Sequence, residues 1–307
     1  MIRLTNSDPV PESLRGAVIA LGNFDGVHSG HQHVIGLARD MADKAGGPLI
    51  VATFDPHPVR LFKPEAEPFR LTTLDQREEL FAREGADGML VFQFTREFAA
   101  TTAEDFFEHH IVGKLGATGV VTGVDFTYGS GRVGNAERLS KQCDRVGLDC
   151  RAVDPVAEGG EVISSSRIRD ALKAGDPQEA ARLLTRPFAM RGKVVHGDKR
   201  GREIGYPTAN LELGNYQRPK FGIYAVTGHL PDGRVLNGAA NIGVRPTFEP
   251  PKELLEPYFF DFSEDLYGQE IEVAFHHFIR PEQKFDGLDA LKEQMASDCK
   301  RARELLT

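Results

Sequence analysis

The stretch AVIALGNFDGVHSGH, residues 17–31, runs an unbroken apolar segment straight into a glycine-spaced turn carrying two histidines. A short apolar run such as 17–21, closed by Gly22, reads as a strand covered on both faces, as in a parallel sheet. Gly22, Gly26 and Gly30 allow a tight turn, and the periodicity beyond them predicts a helix from about Gln32 to Ala45. Side chains just past the carboxyl end of such a strand stand where open α/β sheets bind their ligands.

Working outward, the same kind of run recurs at 49–53, 89–92, 120–122 and 150–153. Between the runs, Phe107, Ile111 and Leu115 repeat at helical spacing behind Thr102-x-x-Asp105, and Thr73-Leu-Asp-Gln76 opens another helix in the same way. Strands alternating with helices predict an α/β fold, an N-terminal doubly wound parallel sheet with right-handed crossovers. After Leu184-Thr-Arg-Pro187 the texture changes. Alternating segments at 191–195, 224–228 and 271–275, punctuated by Gly and Pro, predict a small antiparallel β-barrel domain. A C-terminal helix with Leu288, Leu291, Met295, Cys299, Ala302 and Leu306 on one stripe is expected to pack on that barrel. At 307 residues two cores are expected, with domains at 1–185 and 186–307.

A formal charge of -8 leaves no broad positive field, so nucleic acid is not an expected partner, although small anions can bind at local basic spots. Cys143, Cys150 and Cys299 are odd in number and lack C-x-x-C spacing, which fits reduced thiols in a cytoplasmic protein. The first apolar run is far too short for a signal core or a membrane span, so no membrane partner is expected. A monomer or weak homo-oligomer is anticipated.

Two imidazoles, His28 and His31, at a helix start suit a nucleotide triphosphate and its developing negative charge. They also suit plain polar caps, and a zinc cluster of His28, His31 and His33 is a third option, without further ligands at metal-site spacing. In Ile163-Ser-Ser-Ser-Arg167-Ile-Arg169, a serine can cap a helix and hold a phosphate that Arg167 grips bidentately. Asp125, in Gly123-Val-Asp-Phe-Thr-Tyr-Gly129, has the alternative of a simple turn aspartate. In the C-terminal half, Gly205-Tyr-Pro-Thr208 reads as a Gly-Pro turn entering a barrel strand, and a hydroxyl and an amide oxygen two residues apart on such an extended segment can share one Mg²⁺. Glu256 by itself reads as a surface glutamate, and Pro257 beside it suggests an edge or a bulge.

The H-x-G-H of residues 28–31 resembles the signature of the nucleotidyltransferase superfamily, and the longer GNFDGVHSGH resembles bacterial FAD synthetases. That resemblance implies ATP contacts from Gly22, Asn23, Phe24, His28, His31, Ser164 and Arg167, with the two histidines stabilising adenylyl transfer. It also implies flavin contacts from Asp55 and His57, in Thr53-Phe-Asp-Pro-His-Pro58, and from Asp125, where Thr127 departs from the arginine of many members. GKVVHG at 192–197 and GREIGYPTAN at 201–210 resemble riboflavin kinase. There the resemblance implies ATP binding by Gly197, Gly201, Thr208 and Asn210, with Mg²⁺ on the last two and Glu256 as the catalytic base. The expected protein is a bifunctional enzyme that phosphorylates riboflavin to FMN and adenylylates FMN to FAD, with ATP as co-substrate. Two competitors stand beside it: a transferase for another nucleotide, against which Phe24-Asp25-Gly26 weighs, and a flavin-binding regulator without turnover, favoured only by Thr127 and Pro257.

Overall fold

The computed structural model describes residues 1–196, 205–245 and 252–307. The chain forms two compact units, residues 1–67 with 74–163, and residues 68–73 with 164–307.

The first unit is built on six parallel strands, β1 (Ile2–Thr5), β2 (Val18–Leu21), β3 (Leu49–Asp55), β4 (Gly88–Gln93), β5 (Gly119–Gly123) and β6 (Asp149–Val153), in the order β1-β4-β3-β2-β5-β6. Because side chains alternate across a strand, successive residues enter different cores. Ile19, Leu21, Ile50, Ala52, Leu90 and Val120 join Phe106, Phe107 and Ile111. Val18, Ala20, Leu49, Val51, Met89 and Val121 join Ile35, Ala38 and Ala42 of helix α1 (Ser29–Ala45), and Phe81 of α2 (Leu74–Arg83). The four central strands, β2 to β5, are buried on both faces, which is why they read as continuous apolar runs, and each large side chain withdrawn from water contributes roughly 1.5–3 kcal/mol.

Three details depart from the sequence reading. Strand β1 was not anticipated: only Leu4 of its four residues is buried, so it carries no apolar run. Helix α1 begins at Ser29, three residues earlier than expected, because His28 caps it. The segment behind Thr102 is one α-turn, Ala103–Asp105, followed by a π-helix, Phe106–Lys114. Its wider turn brings the adjacent pairs Phe106/Phe107 and His110/Ile111 under one buried face. Thr102 is the expected cap, accepting the Asp105 N–H at 3.0 Å.

The second unit carries helices α3 (Ser165–Ala174) and α4 (Pro177–Leu184) ahead of its barrel. Its barrel strands are β7 (Phe188–Val195), β8 (Asn210–Glu212), β9 (Gly222–His229), β10 (Val235–Arg245), β11 (Lys252–Phe259) and β12 (Glu270–Arg280), closed in the order β7-β8-β11-β10-β9-β12. Closure removes exposed sheet edges. Phe188, Tyr224, Leu255 and Phe275 are fully buried. A methyl group at Gly228 would meet the Phe259 ring at 2.3 Å, so only glycine admits that close approach. The last helix, Leu288–Leu305, packs Cys299, Ala302, Leu305 and Leu306 with Ala225, Ala239 and Phe260. Its Asp298 forms a buried, bidentate ion pair with Arg280 of β12, at 2.7 Å. Leu288, expected on the packing stripe, is 53% exposed, so the contact belongs to the later turns.

Candidate active sites

In the first unit the chain leaves β2 through a turn with three positive φ angles, Phe24 (+49°), Gly26 (+90°) and Val27 (+45°). Left-handed backbone costs glycine nothing but strains Phe24 and the β-branched Val27 by about 1–2 kcal/mol each. Burial offsets that strain: Phe24 and Val27 are sealed in the core, Phe24 meeting Phe81 edge-on at 5.7 Å. Arg77 of α2, itself buried, donates to the Asn23 carbonyl at 3.3 Å and to Thr53 Oγ1 at 2.9 Å, and Thr53 Oγ1 donates to the same carbonyl at 2.7 Å. The guanidinium also lies 4.0 Å from Asp55 at the end of β3. Arg77 was not singled out from sequence, since nothing local marks an arginine as buried.

The turn delivers His28 to the N-cap of α1, where its Nδ1 accepts the His31 N–H at 3.3 Å. An accepting Nδ1 carries no proton, so the imidazole is neutral with its N–H at Nε2. The two rings stack at 3.6 Å between centroids. Gly30 lies close beneath the pair, and a methyl group there would sit 3.2 Å from the His28 ring and press on it. The first turn of the 17-residue helix has no acidic residue, and Ser29 Oγ is buried without a hydrogen-bond partner among the described residues. A helix N-terminus, an imidazole N–H and a hydroxyl are the kinds of group with which proteins hold anions. The cap and anion readings of His28 are therefore compatible, as they use different ring nitrogens. His33 is exposed, and no cluster of three metal-ligating side chains forms among the described residues.

Beyond β3, β4 and β5 lies an aromatic group that was not anticipated. Phe54 meets Phe94 at 5.9 Å and Phe126 at 6.4 Å, and Phe62, 68% exposed, meets Phe94 at 6.2 Å. Because Phe62, Phe94 and Phe126 lie far apart in sequence, only the fold links them in one chain of aromatic contacts through Phe54. His57 caps the short helix Pro58–Phe62 by accepting the Val59 N–H at 3.2 Å. Asp125 is exposed, folded back over Gly123. Thr127 Oγ1 accepts from Arg132 Nε at 3.0 Å, so a guanidinium from a later residue reaches the position where Thr127 supplies none.

Ser164 and Arg167 belong to the second unit. Ser164 caps α3, accepting the Arg167 N–H at 3.2 Å, as expected. The Arg167 guanidinium is bound to Glu179 at 2.8 Å, and Glu179, chiefly through its Arg182 hydrogen bonds, has a lowered pKa.

In the barrel, Thr208 lines a cavity of about 360 Å³ with Val194, Pro207, Ala209, Phe259 and the loop 262–267. Asn210 is buried at the start of β8, paired with Val195. Gly197 and Gly201 lie outside the described residues. The Ala209 N–H donates to the Pro257 carbonyl at 3.0 Å, tying the Thr208 segment to the strand that carries Glu256. Strand β11 is interior in the barrel order rather than an edge, but its pairing with β8 covers only Leu254 and Leu255. Pro257 lies past that ladder, so its missing N–H breaks no hydrogen bond to β8. Glu256 faces Asn241 of β10 across the sheet and contacts Arg245, which in turn lies 3.9 Å from Glu282. Asn241, Arg245 and Glu282 were missed from sequence because strand register brings them to Glu256.

A family model for FAD synthetase matches residues 10–167, and one for riboflavin kinase matches 184–306. The bifunctional riboflavin kinase/FMN adenylyltransferase of Escherichia coli K12 is 40% identical, the alignment covering 94% of this chain and 92% of that protein. The protein of the same description from Bacillus subtilis 168 is also 40% identical, over 95% and 93%. A crystal structure from Streptococcus pneumoniae, described as a macrolide-efflux protein, superposes with a TM-score of 0.88 at 34% identity, over 99% of both chains. Among the described residues no helix is long and apolar enough to cross a membrane. Two family models in tandem, and full-length relatives that carry both descriptions, agree with the motifs at each end, and this chain belongs to the bifunctional riboflavin kinase/FMN adenylyltransferase family.

Proposed function

We propose that the chain carries out both reactions, phosphorylating riboflavin with ATP to FMN and adenylylating FMN with a second ATP to FAD and pyrophosphate. The observation that carries this is the pairing of both family matches in one chain about 40% identical, over 94% of its length, to a protein bearing both names. We assign adenylyl transfer to residues 1–185 and the kinase to 186–307.

For adenylyl transfer, a phosphate oxygen of FMN attacks the α-phosphorus of ATP, and pyrophosphate leaves. Neutral His28 donates from Nε2 to the phosphate oxygens on which charge grows, and His31 stacks beside it. Gly22, Asn23 and Phe24 form the nucleotide side of the turn, and Arg77 holds its shape through the Asn23 carbonyl. Phe62, Phe94 and Phe126 supply the platform for the isoalloxazine, with Asp55, His57 and Asp125 around it.

For the kinase, Glu256 takes the hydroxyl proton as the acceptor oxygen attacks the γ-phosphorus, whose bond to the bridging oxygen breaks so that ADP leaves. Thr208 and Asn210 provide hard oxygen donors that suit Mg²⁺, which when bound neutralises phosphate charge. A cytoplasmic enzyme fits its three free cysteines.

The test is chromatography of products from riboflavin, ATP and Mg²⁺. FMN followed by FAD is expected; His31→Ala should stop FAD but spare FMN, and Glu256→Ala should stop FMN formation while added FMN is still converted. Loss of both activities in each variant refutes independent sites, and flavin binding without ATP consumption refutes the enzyme.

A further inference from the structure

Asn241 stands directly opposite Glu256 in the β10–β11 ladder. Its Nδ2 lies 3.5 Å from Glu256 Oε2 and 3.2 Å from Glu282 Oε1. Ionised carboxylates only accept, so two of them beside one amide require its NH₂ to face them, and the flipped amide would set oxygen against oxygen. Its Oδ1 is consequently turned away from both, and it is buried with no hydrogen-bond partner among the described residues. A buried carbonyl oxygen left in that state is costly and calls for a donor. Among the reactants of the proposed kinase step, which this inference presupposes, the acceptor's polyol chain is rich in hydroxyl donors. Directly opposed side chains in a sheet start about 5 Å apart, close enough for one to engage the reacting hydroxyl and the other its neighbour.

We propose that Asn241 reads the side chain of the phosphoryl acceptor, its Oδ1 accepting a hydrogen bond from the hydroxyl next to the one whose proton Glu256 takes. The amide then selects polyol-bearing flavins over flavins with a lone terminal alcohol. Nothing in the sequence around Asn241 announces this role, because the strand register and the two carboxylates create it.

The experiment compares kcat/KM for riboflavin with that for a flavin bearing a 5-hydroxypentyl chain at the same ring nitrogen, in the full-length protein with Mg²⁺ and ATP. The unmodified protein should prefer riboflavin by about 10- to 100-fold, since a site that hydrogen-bonds a hydroxyl rejects the analogue lacking it. In Asn241→Ala the preference should collapse to within about threefold, through loss of riboflavin turnover rather than gain on the analogue. Asn241→Ser, which keeps an oxygen on a shorter arm, should fall between the two and guards against a misfolded alanine variant. Equal losses on both acceptors with the preference intact in the serine variant would overturn the proposal, as would an unmodified protein that shows no preference. An unmodified protein that phosphorylates neither flavin would overturn the kinase reading itself.

Discussion

His28 is both the cap of a 17-residue helix and the proposed donor to the triphosphate, and the structure separates the two duties by ring nitrogen. Asparagine is among the best N-cap residues, so His28→Asn should keep the capping hydrogen bond while deleting the Nε2 donor. Replacing a good cap by alanine costs about 1 kcal/mol, so His28→Ala should lose that much stability and His28→Asn at most about 0.5 kcal/mol. Losing one preorganised donor to developing oxyanion charge costs roughly 10²- to 10³-fold in kcat, about 3–4 kcal/mol. Both variants should therefore lose FAD formation by a similar factor, while only His28→Ala is destabilised. The assay is pyrophosphate release from FMN, ATP and Mg²⁺, with riboflavin phosphorylation by the same chain as internal control and urea unfolding for stability. If His28→Asn retains FAD formation within about threefold, His28 is a cap and nothing more, and the donor role is refuted.

Arg77→Met preserves bulk but removes the buried donors to Asn23 and Thr53. It should cost about 2–4 kcal/mol and raise the KM for ATP in FAD formation, leaving FMN formation intact, as steady-state kinetics and denaturant titration of the first unit would report. His110, 9% exposed among phenylalanines, has its pKa lowered to about 4, mainly by burial and secondarily by His109 and Lys114. The folded state resists a proton that the unfolded chain binds near pH 6.5, so stability is complete above that pH and falls as pH drops towards 4, by at most about 3 kcal/mol. His110→Phe should flatten this part of a stability-versus-pH curve, and an unchanged slope would contradict the assignment. Asp298→Ala strands Arg280 at a docking contact of the last helix and should cost about 3 kcal/mol, detectable as faster proteolysis of that helix.

Apolar runs made the strands at 17–21, 49–53, 89–92 and 120–122 legible in sequence, because strands buried on both faces carry few polar residues, and the run at 150–153 marked an edge strand of which only Val153 is buried. The edge strand at Ile2–Thr5 escaped, since an edge needs only Leu4 inside. Thr102 and Ser164 were readable as caps because capping uses a side chain and a backbone group three residues apart, a purely local relation. The histidine pair and the Gly-Tyr-Pro-Thr segment were likewise visible as motifs, since their chemistry sits in consecutive residues. Tertiary structure alone decided the rest: that Arg77 clamps the turn, that Phe94 and Phe126 both meet Phe54 while Phe62 meets Phe94, and that Asn241, Arg245 and Glu282 gather about Glu256. Those relations depend on strand order, register and burial, which arise from interactions among residues tens of positions apart and leave no trace in any short window of the chain.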